Sequence, residues 1–333
     1  MKNHLNKNMG RSAMVGAALL AAAIPATAMA QGATGYPNKA LRLVVPFPPG
    51  GGNDILARTL GQRLAEVVQQ QVVVDNRGGA GGALGATIAA QANPDGYTLF
   101  LGSVGNLAQT PALKSDLPYN PVRDFAPAAL VAVSSFMIAV HPSVPAKNVQ
   151  ELVALAKASP GKLSYASAGT GSSLHMAGEL FKHATGTDLL HVPYKGTGPA
   201  MADLVSGRVQ LIFSTMPPVL PQVKQGKLRA IAVTTAKRAA AAPDVPTVAE
   251  SGVKGFSVSN WQGVLAPAKT PAALVNKLNQ DILKSLALPG MTEALAQQGL
   301  EPAGGKPEEF GALIKAEIAK YTAVVKAANI KVD

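Results

Sequence analysis

Leu41-Arg-Leu-Val-Val-Pro-Phe-Pro-Pro-Gly-Gly-Gly-Asn-Asp-Ile-Leu-Ala-Arg58 holds a strand, a break and a helix start in one short run. Leu43, Val44 and Val45 are apolar and largely β-branched, the kind that suits a buried strand. The prolines and the three glycines that follow forbid its continuation. Ile55, Leu56, Leu60, Leu64 and Val67/Val68 then recur at helical spacing, with Asn53 or Asp54 able to cap the first turn. Glycines let backbone N–H groups converge, and the helix dipole adds partial positive charge. The stretch predicts an anion-binding turn.

Working outward, the same logic recurs. Residues 71–75 read as a second strand, followed by Asn76-Arg-Gly-Gly-Ala-Gly-Gly82 and an alanine-rich helix over 83–90. Leu84 stands where a GxGxxG motif needs glycine, so dinucleotide binding is not supported. A third strand over 97–101 ends at Gly102-Ser103-Val-Gly-Asn106. Strands alternating with helices predict an α/β fold with parallel strands and a ligand crevice at their carboxyl ends.

The apolar run 128–140, leading to His141-Pro142, reads as a crossover into a second domain. Asn148 and Glu151 resemble a capping box for a helix to Ala158. After a strand at 163–166, Ser167-Ala-Gly-Thr-Gly-Ser-Ser173 is a second small-residue turn feeding a helix over 174–184. Strands at 189–192, 209–213 and 229–234 follow. Tyr194-Lys-Gly-Thr-Gly-Pro199 and Ser214-Thr-Met-Pro-Pro218 trail the first two. Residues 256–265 return the chain to the first domain, and helices near 271–286, 291–298 and 307–328 complete it. The expected division is a first lobe of 36–136 plus 257–333 and a second lobe of 137–256.

Composition narrows the function. The chain has 333 residues, no cysteine and five histidines, none in an HxxxH or HExxH pair. Disulfides, thiol chemistry and a protein metal site are excluded or disfavoured, and no cofactor is expected. Lys2, Lys7 and Arg11 precede an apolar core at 13–24 and the small-x-small signal Ala28-Met29-Ala30. This predicts a signal peptide over 1–30, cleaved after Ala30, and an exported periplasmic protein. The apolar core is shorter than the ~20 residues a membrane span needs. Cleavage takes the formal charge from +11 to +8. Scattered Lys and Arg with few aromatics do not make a nucleic-acid surface, but a diffuse positive field favours small anions.

Chemical alternatives are weaker. Ser172, His175 and an acid lack the G-x-S-x-G elbow, and serine and histidine on one helical turn leave no oriented base, so an exported hydrolase is disfavoured. Gly161-Lys162 and Gly226-Lys227 lack the rest of a Walker A loop. Ser167, Thr170, Ser172 and Ser173 fit either helix capping or donation to a carboxylate. His175, in the first helical turn, is expected to be neutral, and either meets a ligand or fastens the loop. Asp54 fits a cap better than an anion contact. Solvated surfaces are the expected place of Arg58, Arg77 and Lys195.

Several motifs resemble those of the Bug proteins, the solute receptors of tripartite tricarboxylate transporters. They are Tyr36-Pro-x-Lys-x-Leu-Arg-Leu-Val-Val-Pro-Phe-Pro-Pro-Gly-Gly-x-x-Asp54, Asn76-Arg77, Pro94-Asp-Gly-Tyr-Thr98, Leu117-Pro-Tyr-x-Pro121, Asp124-Phe-Ala-Pro127 and His141-Pro142. In the second half they are Ser167-Ala-Gly-x-Gly-Ser172 with His175, His191-Val-Pro-Tyr-Lys-Gly196 and Asp244-Val-Pro-Thr247. The resemblance covers nearly the whole chain after the leader. It departs at Gly78, where the family often has proline.

The resemblance implies a type II periplasmic-binding-protein fold, two α/β lobes with a ligand cleft between them, and no enzymatic activity. It implies carboxylate capture by Phe47, Gly50, Gly51, Gly52, Asn53 and Asp54 with Ser103 on one lobe. On the other it implies the turn with Ser167, Gly169, Thr170, Gly171 and Ser172; His175, Thr197 and Ser214 complete the expected site. The implied partners are a small carboxylate (di- or tricarboxylate, acidic amino acid or aromatic carboxylate) and the membrane subunits of such a transporter. A monomer is expected, with no nucleic acid. A receptor of the same fold feeding a sensor kinase is the alternative partner. The shared motifs do not name the ligand.

Overall fold

The computed structural model describes residues 35–328 and 330, so the expected leader lies outside the described residues. The first half of one lobe is built in the order the sequence suggests: β1 (Leu41–Val45), α1 (Gly52–Val68), β2 (Val72–Asn76), α2 (Ala83–Ala90) and β3 (Thr98–Ser103). β1 pairs in parallel with β2 and β3. A π-helical turn at Gly105–Gln109 and the short α3 (Thr110–Leu113) follow, then β4 (Phe125–Val140). β4 is the predicted crossover, 16 residues long.

The other lobe contains α4 (Val149–Ala158), β5 (Ser164–Ser167), α5 (Ser173–Thr185), β6 (Leu190–Pro193), α6 (Thr197–Val205), β7 (Leu211–Thr215), α7 (Met216–Lys224) and β8 (Arg229–Val233). β5 pairs in parallel with β6 and β7. Then β9 (Ser259–Pro267) leads back to α8 (Ala272–Leu286), α9 (Met291–Gln297), β10 (Glu301–Gly304) and α10 (Pro307–Ala327). The Asn148 side chain caps α4 by accepting from the Glu151 N–H at 2.8 Å, as its spacing predicts.

The sheet differs from a purely parallel one at its centre. β4 runs antiparallel to β7, β8, β9 and β10, and β9 also runs antiparallel to β3. The first half of β4 lies in one lobe's sheet and the second half in the other's. One edge of β4 is filled by β9 and then β8, the other by β10 and then β7. A strand shared in this way cannot be parallel to both sets of βαβ units, because its ends serve different lobes.

Burial follows the alternation of the strands. Leu41, Leu43 and Val45 pack with Leu56, Leu60 and Leu64 of α1 and with Leu278 and Ile282 of α8. Val44 and Phe100 face the opposite way, into the cluster that holds Ala83, Ala86 and Phe310. Each fully buried side chain of this size contributes roughly 1.5–3 kcal/mol. On β9, Trp261 stands edge-on to Phe310 of α10 with ring centroids 5.8 Å apart. Gly263, on the same face, leaves no room for a methyl group, since a Cβ there would lie inside the Phe310 ring and 2.7 Å from the Ala129 carbonyl oxygen. Gly263→Ala is therefore expected to lower the unfolding free energy by about 1–3 kcal/mol. Urea denaturation should show a lower midpoint with an unchanged slope, and an unchanged midpoint would refute this packing.

Candidate ligand-binding site

The carboxyl ends of β1, β2 and β3 face those of β5, β6 and β7 across a seam, and turns from the two lobes meet there in pairs. A Cβ on Gly51 would stand 3.5 Å from Thr197 Oγ1, and one on Gly52 would overlap the Thr215 hydroxyl, 3.0 Å from Thr215 Cβ. A Cβ on Gly81 would be 2.6 Å from the Thr170 carbonyl oxygen, and Gly81 has φ +64° besides. Gly105 is similarly close to the Ser173 backbone, and Gly196 to Pro48. Thr110 Oγ1 donates to the Gly171 carbonyl at 2.8 Å, a direct hydrogen bond across the seam. The lobes are closed on one another.

Five helices begin at this seam: α1, α2, α5, α6 and α7. No side-chain hydrogen bond caps α1, α2, α6 or α7 at its N-cap. The first-turn N–H groups of α1, α6 and α7 have no intrahelical acceptor, whereas at α2 the Ala83 and Leu84 N–H groups donate to the Ala80 and Gly79 carbonyls of the preceding turn. α7 offers fewest, since Pro217 and Pro218 carry no N–H. Each helix end acts as roughly half a positive charge. The glycine approaches are what allow these ends to point into one small volume. Cationic side chains are not needed. Arg58 pairs with Asp54 at 2.9 Å, Arg77 pairs with Asp75 at 2.8 Å, and Lys195 is exposed.

The expected site residues divide by role. Gly50, Gly51, Gly52 and Asn53 form the α1 entrance, and Phe47 is half-buried beside it with its ring against Gly82. Asp54 is engaged inside its own lobe. Its carboxylate accepts from Gly50 N–H at 2.9 Å and Asn76 Nδ2 at 3.0 Å, besides Arg58. Burial alone would raise its pKa, but these bonds outweigh burial and hold it below the usual carboxylate range. Ser103 is buried at the end of β3, where its N–H donates to Asn106 Oδ1 at 3.0 Å. Ser214 donates to the Thr215 carbonyl at 3.0 Å.

In the second turn, Ser172 caps α5 by accepting from His175 N–H at 3.4 Å. His175 fastens the loop, its Nδ1 accepting from Gly171 N–H at 3.3 Å. Ser167 Oγ accepts from Gly169 N–H at 3.1 Å and lies 2.7 Å from His191 Nε2. The two imidazoles stack with centroids 4.1 Å apart. Thr170 is half-buried with its carbonyl on Gly81, and Thr197 is buried facing Gly51. Thr110, Gly81, Thr215 and His191 as a brace were not singled out by the sequence. Only the glycine run 78–82 carried a local signal for one of them.

A cavity of about 580 Å³ is walled by Val133, Ser134 and Ser135 of β4, Ser259 of β9 and segments 235–241 and 296–301. Lys237, Arg238 and Glu301 border it. It has none of the converging helix ends, so the seam is the better anion site.

Two expectations follow from this geometry. Burial first, and then the neighbouring His175, push the His191 pKa down to about 4 from 6.5, with Glu179 opposing and Lys182 assisting. Below 6.5 the unfolded chain takes up a proton that the folded chain refuses, so this stability is complete above pH 6.5 and fades as pH falls toward 4. The urea midpoint of the natural chain should drop across that window more steeply than that of His191→Gln, and parallel profiles would exclude the brace as the cause. Gly52→Ala has an ordinary helical backbone and should leave the fold intact. It should hold the lobes apart, read as a larger radius of gyration in X-ray scattering, with Thr215→Ala on the same chain restoring compactness. A compact single variant would contradict the contact.

Known proteins resemble this chain in sequence and in fold. Residues 56–330 match the family described as tripartite tricarboxylate transporter family receptor, TctC. The chain is 39% identical, over 96% of its length and 94% of the relative's, to a protein from the tcbD-tcbE intergenic region of Pseudomonas sp. strain P51. It is 37% identical to BugT of Bordetella pertussis, over 89% and 91% of the two chains. Among solved structures, the periplasmic binding protein BugD superposes with a TM-score of 0.86 at 37% identity, covering 89% of this chain and 99% of that one. An R. palustris protein solved with adipate has a TM-score of 0.86 at 38% identity, over 89% and 99%. MatC from Rhodopseudomonas palustris, with bound malate, has a TM-score of 0.84 at 32% identity, over 87% and 100%. The matched family is one of receptors and BugD is a periplasmic binding protein, not an enzyme; this chain belongs to the tripartite tricarboxylate transporter receptor family, a family of periplasmic solute-binding proteins.

Proposed function

We propose that the protein captures a small carboxylate between its lobes and presents it to the membrane subunits of a tripartite tricarboxylate-type transporter. The observation that carries this reading is the convergence of three helix N-termini with unpaired first-turn N–H groups, those of α1, α6 and α7, on a seam whose neighbouring arginines are already paired. Such a site rewards one compact negative group that accepts several N–H bonds. The adipate and malate bound by two structural neighbours fit that chemistry. Micromolar capture needs about −8 kcal/mol. A few charge-assisted bonds at ~1.5–3 kcal/mol each supply this after ordering costs.

The seam residues proposed to meet the carboxylate are the backbone of Gly51, Gly52 and Asn53 with Thr170, Ser172 and Thr197, while Phe47 covers the apolar part. The lobes are taken as 36–136 plus 257–333 and 137–256, which places the bends within β4 and just before β9. Cleavage after Ala30, residence in the periplasm and a monomeric state complete the reading. A thermal-shift series on the exported protein tests it. Carboxylates that bind the folded state should raise the melting temperature in a concentration-dependent way. Stabilisation by neutral amides alone, with no carboxylate effective, would overturn the anion assignment.

A further inference from the structure

Five buried side-chain atoms at the floor of the seam make no hydrogen bond within the protein: Asn53 Nδ2, Thr215 Oγ1, Asn260 Oδ1 and both amide atoms of Gln262. The four residues are at most 7% exposed. Burying such groups unpaired forfeits their bonds to water, so folded proteins rarely keep several together without a purpose.

Sheet register brings them to one place. Gln262 pairs with Ser103, the last residue of β3, so β9 continues past the end of its parallel neighbours. Asn260, two residues away on the same face, pairs with Ser134, and its Nδ2 donates to Ser134 Oγ at 3.1 Å. Val264 and Ala266 extend that face into the cluster under α1. Two residues beyond Ser134 on β4, Phe136 pairs with Thr215. Thr215 in turn touches Gly52 at the α1 entrance, next to Asn53. The β4–β9 crossover is therefore the floor beneath the α1 N-terminus.

We propose that Asn53, Thr215, Asn260 and Gln262 form a neutral distal pocket that reads the far end of the ligand. This rests on the carboxylate reading above and adds a substrate class: an acid with one carboxylate and an uncharged hydrogen-bonding group, a carboxamide or hydroxyl, at the other end. Two amides and a hydroxyl present both donors and acceptors, which matches a group that also both donates and accepts. None of the four carries a charge. A second carboxylate would be desolvated there with Arg58 already committed to Asp54.

The test is calorimetric titration of the exported protein with two matched sets: succinate, succinamate, 4-hydroxybutyrate and butyrate, and adipate, adipamate, 6-hydroxyhexanoate and hexanoate. In at least one set the amide or hydroxy acid should bind at least tenfold more tightly than both the diacid and the plain acid. Thr215→Val and Gln262→Met should erase that advantage. Each removes an unpaired polar group, so the melting temperature without ligand should stay the same or rise, whereas a merely structural role would lower it. A diacid preferred in both sets, or selectivity unchanged in both variants, overturns the distal pocket and leaves the carboxylate reading standing. If every acid fails but adipamide binds and depends on Gln262 and Thr215, the pocket stands and the carboxylate reading falls. Failure of all these compounds overturns both.

Discussion

The structure depends on glycine backbone approaching the opposite lobe closely across the interlobe seam. Helix N-termini can replace cationic side chains only if several lie within a few ångströms of one anion, because their field falls off within the first turn. Gly51, Gly52 and Gly81 permit that approach, against Thr197, Thr215 and the Thr170 carbonyl respectively. Glycine is needed at Gly81 for its φ as well as for space. At Gly52 space alone decides, since nothing in its backbone excludes alanine. Under the proposed reading, closure and anion binding are thus one geometric condition.

A site made of N–H groups needs its turns held still, since a floating backbone would lose more entropy on binding than the bonds return. In each lobe side chains hold the turn in place. In one, Asp54 joins Gly50, Arg58 and Asn76, and Asn76 also donates to the Phe47 carbonyl at 2.9 Å. In the other, His175 and His191 stack behind the turn and bind Gly171 and Ser167. Burial keeps both imidazoles neutral near pH 7, so they can accept from the turn without adding a charge. Asp54, Ser167 and His175 thus hold the turns whose backbone is proposed to meet the ligand.

That distinction explains what the sequence could and could not disclose. The 41–58 turn, the 167–173 turn and the long crossover at β4 are local patterns of proline, glycine and apolar period, and they were legible. The antiparallel centre was not, because strand direction depends on partners far along the chain: Val133 lies beside both Trp261 and Glu301. The roles of Thr110 and Thr215 depend on contacts with Gly171 and Gly52 in the opposite lobe. No local pattern encodes those. Asn260 and Gln262 did leave a trace, two amides spaced by two just ahead of the apolar stretch 264–267, which is what a strand with one polar spot on its buried face should show.

The crossover strands then carry two tasks at once. β4 and β9 connect the lobes, so any change in the interlobe angle must bend or twist them. Their shared face also holds Ser134, Asn260 and, one strand over, Thr215. A ligand tail resting on this floor would touch the element that moves, while its carboxylate touches the helix ends that the movement brings together. Under the proposed reading, a wrong tail is penalised twice: it leaves floor groups unpaired, and it sits where the strands must settle for the N-termini to converge. Discrimination would then appear as failure to close rather than as weak contact in a closed site, because packed elements switch between arrangements and do not deform continuously.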